Sequence, residues 1–130
     1  MITIEVIKGL EPRLYELVAP LVMDAKVLKQ NRNYPFKTSK DFLWFIALDG
    51  AAVIGFLPVE IRNKQAIINN YYSEGENLEV LGSMIREAVE LLQSEHLLTS
   101  ATQVQHISAF SQNGFVVERE WKNYVKMIQK

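Results

Sequence analysis

Residues 2–7, ITIEVI, alternate apolar and polar positions and are rich in β-branched types, so they predict a strand that ends at Gly9. From Glu11 to about Gln30 the spacing changes. Apolar residues recur at Leu14, Leu17, Val18, Leu21, Val22, Ala25 and Leu28, which is helical periodicity. Pro20 interrupts that run and predicts a break or kink near Ala19. The stretch NRNYPFK is a loop, and Ser39 is placed to cap a short helix over Lys40–Leu43. WFIALDG and AAVIGFLPVEI then form two strands joined at Asp49-Gly50, a hairpin signal. Pro58 predicts a gap or bulge in that ladder.

QAIINNYYS is the next strand. Leu78, Leu81, Ile85, Ala88, Val89 and Leu92 mark one face of a long helix after it. HLLTSA is a further strand, and TQVQHISAFSQN a shorter helix that stops at Gly114. FVVEREW and YVKMIQ close the chain as a hairpin around Lys122-Asn123. The order is β-α-α-β-β-β-α-β-α-β-β, an α+β arrangement in a single domain over residues 1–130. Strands that follow one another without intervening helices argue against a doubly wound sheet.

Composition narrows the chemistry. An apolar fraction of 48% is enough for a full core, and 14 basic against 15 acidic residues leave no charge excess. That balance predicts neither nucleic acid nor an anionic membrane as a partner. With no cysteine there is no disulfide, thiolate nucleophile or cysteine zinc site, and two histidines, His96 and His106, predict no metal centre. No apolar run approaches the ~20 residues of a membrane span. The opening MITIEVIKG lacks the basic start and apolar block of a signal peptide, so the expectation is a cytoplasmic protein.

The strand–loop–helix at NNYYSEGENLEVLG is where an anion would be cradled by helix amides. The loop nevertheless has one glycine, no lysine or arginine, and three glutamates, Glu74, Glu76 and Glu79. Two like charges ~4 Å apart repel by roughly 4 kcal/mol at an effective dielectric of 20. The same glutamates favour the positive start of a helix, which explains their presence without a ligand. Lys26, Lys29, Arg32, Lys37 and Lys40 fall within fifteen residues that contain no acid, and offer a compensating charge.

Two stretches, IINNYYSEGENLEVLGSMI and ISAFSQNGFVVERE, carry a resemblance to the GNAT superfamily of acyl-CoA-dependent N-acetyltransferases, and the element order extends it over nearly the whole chain. The resemblance implies a mixed central sheet with helices on both faces and a V-shaped gap where the fourth and fifth strands splay apart. It implies acetyl-CoA in that gap, with the pantetheine along Asn70, Tyr71 and Tyr72. The pyrophosphate would lie over the helix start at Asn77, Leu78, Val80, Leu81, Gly82 and Ser83. An amine, on a small molecule or a peptide, would arrive from the other side. The family's loop glycine and basic residue are replaced by Val80 and Asn77, its frequent tyrosine acid by Phe110, and its frequent asparagine by Gln103.

For proton transfer the chain offers Glu60 near a strand end as base, Tyr71 or Tyr72 in place of the missing phenol, and His106 one helical turn before Phe110. Strand alternation sends Tyr71 and Tyr72 to opposite faces. Asn69 and Asn70 in a buried strand need partners, and border a cavity or a ligand if they find none in the core. Two other readings stand beside a divergent acetyltransferase. One is an inactive binding module that keeps the fold but has lost CoA. The other is an interaction protein, a homodimer, that pairs through its C-terminal strands.

Overall fold

A computed structural model of the protein describes residues 2–130. The strands are β1 (Ile2–Lys8), β2 (Phe42–Asp49), β3 (Ala52–Arg62), β4 (Gln65–Ile68), β5 (Tyr72–Ser73), β6 (Leu97–Gln103), β7 (Phe115–Glu120) and β8 (Tyr124–Gln129). The helices are α1 (Pro12–Val22), α2 (Ala25–Lys29), α3 (Leu78–Leu92) and α4 (Ile107–Ser111). All eight strands form one mixed sheet in the order β1-β2-β3-β4-β6-β8-β7, with β5 paired to β3 off that path. Among the described residues only β4 and β6 pair in parallel.

Side-chain alternation divides the core in two. Leu43, Phe45 and Ala47 of β2 face α3 and α4, whereas Trp44, Ile46 and Leu48 face α1 and α2. β2 and β3 are thus apolar on both sides, which is why they read as continuous hydrophobic runs in the sequence. Tyr71 belongs to the first cluster and Tyr72 to the second, as alternation requires.

The architecture agrees with the sequence pattern, but several details do not: the strand expected over 65–73 is two, β4 and β5, with residues 69–71 between them. Lys40–Leu43 is not a helix. Ser39 accepts from the Asp41 amide in a tight turn, and β2 already begins at Phe42. A two-residue lead into a buried strand leaves no length for a helix. The first helical run breaks at Met23–Asp24 and not near Ala19, because Asp24 caps α2 by accepting from the Lys26 and Val27 amides. Pro20 stays inside α1, on its exposed side near the end, where water can satisfy the carbonyl its ring leaves unpaired.

On α3, Leu78 is exposed, while Val80 and Met84 join the buried stripe. The reason lies in β3. Gly55 has no side chain, and a Cβ there would lie 2.8 Å from the Tyr72 carbonyl, 3.0 Å from Met84 Cε and 3.2 Å from Val80 Cγ1. The glycine lets the start of α3 settle onto the sheet. The ladder irregularity between β2 and β3 falls at Ala47/Leu48, and Pro58 stays in register with Trp44. β3 pairs β4 over Glu60–Arg62 and β5 over Gly55–Phe56, so Pro58 lies in the span between the two.

Candidate functional site

β4 lies beside β6 from Gln65↔Leu97 to Ile68↔Ser100, and there the two part. The chain leaves the ladder at Asn69 and rejoins β3 at Tyr72, while Ala101–Gln103 of β6 continues along β8. The divergence opens a cavity of about 500 Å³. Asn69, Asn70 and Tyr71 border it on one side, Ala101 and Gln103 on the other. The loop Asn31–Pro35 and the hairpin residues Asn123 and Tyr124 complete it. A smaller cavity of about 220 Å³ shares Tyr34, Pro35, Asn69 and Asn70 with the first and contains Glu60.

Parting strands expose backbone donors and acceptors that must be paired. Here the end of α2 pairs them. Asn31 donates to the Tyr71 carbonyl at 2.7 Å and accepts from the Tyr71 amide at 3.1 Å. Gln30 donates to the Ser73 carbonyl at 2.9 Å and accepts from the Ser73 amide at 3.4 Å. Gln103 on the opposite strand donates to the Gln30 carbonyl. Two carboxamides therefore stand where an extended, amide-bearing chain would pair with Tyr71–Ser73.

Tyr71 crosses the gap. Its hydroxyl accepts from the Gln103 amide at 3.2 Å and lies 2.8 Å from His106 Nδ1. His106 Nε2 is 3.1 Å from Glu76 Oε1. A carboxylate only accepts, so Nε2 carries a proton; in the tautomer with Nδ1 bare, the Tyr71 hydroxyl donates to Nδ1. The Tyr71 ring is buried against His106 and Phe110, with centroids 5.3 and 5.6 Å away. Burial pushes the phenol well above its ordinary value, the Gln103 amide opposes the rise, and Glu76 adds to it. Tyr71 is thus a buried phenol held protonated beside the gap between the two strands.

The mouth of α3 is closed by local bonds. Asn77 accepts from the Glu79 and Val80 amides at 2.9 and 3.2 Å, and its carbonyl accepts from the Leu81 amide at 3.1 Å. Ser83 turns back to donate to the Glu79 carbonyl at 2.9 Å. Gly82 differs: a Cβ there would meet nothing within 4 Å. Glu74, Glu76 and Glu79 surround this mouth in exposed positions. The hydrogen-bonding polarity of both places, carboxamide on strand and acceptor on helix amides, fits acetyl-CoA. The negative charge beside the helix does not favour its pyrophosphate.

Of the residues singled out from sequence, Tyr71, His106 and Gln103 meet at one point. Glu60 lies elsewhere, in the smaller cavity, 3.0 Å from Arg62. Phe110 is fully buried, edge-on to Phe115. Tyr72 lies on the other face, its ring tilted against Phe56 at 5.2 Å. Asn70 is buried and donates to the Pro35 carbonyl at 3.2 Å, so it ties the loop to the strand. Sequence reasoning missed Gln30 and Asn31, whose role depends on contacts 40 and 43 residues away. It also missed Glu76 as the partner of His106. The polar end of an otherwise apolar helix face was the available signal for the first two.

Solved structures of similar shape share this architecture. Escherichia coli ElaA aligns with a TM-score of 0.78 at 10% identity, covering 98% of this chain and 99% of that one. An acyl-CoA N-acyltransferase from Pseudomonas aeruginosa aligns at 0.74 and 13% identity over 100% of both chains. The PaiA N-acetyltransferase of Thermoplasma acidophilum, solved in complex with coenzyme A, aligns at 0.70 and 18% identity over 98% and 99%. No family model matches the sequence, and neither does any curated protein. The chain has the GNAT fold.

Proposed function

We propose that this GNAT-fold chain is an N-acyltransferase of the acyl-CoA-using kind, with the cofactor slot closed by its own residues until the ligand displaces them. The observation that carries this reading is the parting of β4 and β6 over a cavity bordered by Tyr71, whose phenol reaches across the gap to the Gln103 amide. Acetyl-CoA supplies the activated acyl group. The backbone of Tyr71 and Ser73 would hold its pantetheine in place of Asn31 and Gln30, an exchange of like hydrogen bonds that costs mainly the burial of Asn31. The Glu79 and Val80 amides, released by Asn77, would lie closest to the phosphates. The Tyr71 hydroxyl, which donates to His106 Nδ1 in the unliganded chain, would turn its proton to the leaving thiolate and so serve as acid, while Glu76 holds the His106 ring in place. Glu60 serves as base for an amine that enters beside Asn69. The cytoplasmic setting expected from the sequence belongs to the same proposal; among the described residues no helix is long and apolar enough to cross a membrane.

A second reading, a binding module that has lost CoA, draws on the Asn77 cap and the three glutamates at the helix mouth. Titration calorimetry with acetyl-CoA and CoA separates the two, together with thiol release in the presence of an amine panel. Saturable acetyl-CoA binding and amine-dependent thiol release support the transferase. No heat with either ligand at millimolar concentration, for the natural chain and for Asn31→Ala alike, overturns it.

A further inference from the structure

The larger cavity has a definite charge. Among the described residues bordering it, Arg32 alone is ionised, and there is no carboxylate. Among the described residues the Arg32 side chain has no ion pair or hydrogen bond. Its backbone is at φ 53° and that of Asn33 at φ 63°, two consecutive left-handed residues, neither of them glycine. A β-carbon makes that conformation unfavourable, so the surroundings must impose it. They do: the Asn33 amide donates to the Leu28 carbonyl at 2.8 Å, the Tyr34 amide to the Asn31 carbonyl at 2.9 Å, and Asn70 holds Pro35. With the Arg32 amide donating to the Lys29 carbonyl at 3.2 Å, these bonds close the C-terminus of α2 and leave Arg32 at the border of the cavity.

The rest of the lining is neutral and rich in hydrogen bonds. Asn33, Asn69 and Asn123 offer carboxamides, and Tyr34 and Tyr124 give aromatic walls. Tyr124 is braced from behind by Trp121, whose ring stacks on it at 4.9 Å and 19°. The adjoining cavity adds Lys37, Arg62 and Glu60, so the two together carry three cations and one anion. A polyamine or a lysine-rich peptide would meet net repulsion there. A group with a carboxylate or phosphate would meet an unpaired guanidinium able to bind it through two hydrogen bonds.

The geometry points to a ligand class for this cavity: a small amine that also bears an anionic group, with Arg32 as the specificity-determining residue that pairs with the anion. The amine half of that statement rests on the acyltransferase reading; the anion half stands on the cavity alone. Carboxylate and phosphate share the required chemistry, and the probes separate them.

Binding is measured by calorimetry without any CoA, using L-glutamine, L-methionine, glucosamine 6-phosphate, glucosamine and spermidine. The expected result is that a carboxylate- or phosphate-bearing amine binds at least tenfold more tightly than glucosamine or spermidine. Arg32→Ala should remove that preference, and Arg32→Lys should keep part of it. Arg32 is exposed, so neither variant should change the melting temperature. Tighter binding of spermidine, equal binding by Arg32→Ala, or no binding by any probe overturns the inference. Acetyl-CoA titrated separately keeps the two questions apart. Its failure with the anionic-amine preference intact sinks the transferase reading alone, and its success with spermidine preferred sinks this one alone.

Discussion

The Asn31 carboxamide pairs with both backbone groups of Tyr71, donating to the carbonyl at 2.7 Å and accepting from the amide at 3.1 Å. A side chain forty residues upstream thus does the work of a neighbouring strand at the point where the sheet opens.

Asn31→Ala leaves a buried amide and carbonyl of Tyr71 without their partner. The expected loss of stability is about 2–3 kcal/mol, read from the midpoint of urea unfolding. The same variant clears the strand for an amide-bearing ligand, so acetyl-CoA should stabilise it more than it stabilises the natural chain. A variant that is less stable yet gains nothing from acetyl-CoA would show that the pair is purely structural.

Tyr71→Phe removes the phenol and leaves the Gln103 amide and His106 Nδ1 unpaired. If Tyr71 is the acid, kcat should fall by about 10²-fold or more while acetyl-CoA binding changes little. A variant with undiminished kcat would place the acid elsewhere.

Stability should also depend on alkaline pH through Tyr71. The unfolded phenol titrates near its ordinary value of 10.0, and burial holds the folded one above it. Between the two the folded chain keeps one more proton than the unfolded chain. The stabilisation is therefore intact below pH 10 and declines as pH rises beyond it. Parallel melting curves of the natural chain and Tyr71→Phe from pH 8 to 11 check the sign: the variant should lack this component of the decline.

Asn77→Ala removes the cap on the Glu79 and Val80 amides. The expected cost is about 1 kcal/mol, seen by thermal unfolding. Paired with Glu79→Gln, it should raise the affinity for CoA several-fold at low salt and less at high salt, because freed amides and one fewer anion both favour a pyrophosphate.

Gly55→Ala tests the seat of α3. The added Cβ would lie 2.8 Å from the Tyr72 carbonyl, which belongs to the backbone of the strand beside the cleft. Destabilisation of about 1–3 kcal/mol is expected by chemical denaturation. A neutral result would mean that β5 shifts freely.

Strand and helix types were legible because they arise from local periodicity. β2 and β3 showed themselves as unbroken apolar runs, α3 as a 3.6-residue stripe, and α4 by its glycine stop at Gly114, which has φ 87°. Tyr71 and His106 were legible as separate candidates from residue type together with the resemblance that placed them near the gap. Lys40–Leu43 misled because a cap residue before a polar–apolar mix looks the same before a turn as before a helix, and only the register Phe42↔Glu60 decides it.

By itself the sequence determined the order of the elements, the two-sided apolar core and the anionic loop ahead of α3, since each depends on neighbours within a few positions. Tertiary structure alone decided that Tyr71, His106 and Glu76 form one hydrogen-bonded line, that Gln30 and Asn31 occupy the open strand, and that Arg32 faces a cavity without a counter-ion. The reason is physical. Unpaired backbone groups exist only once two strands have parted, and which distant carboxamide reaches them depends on how α2 lies across the sheet, a geometry that no local pattern encodes.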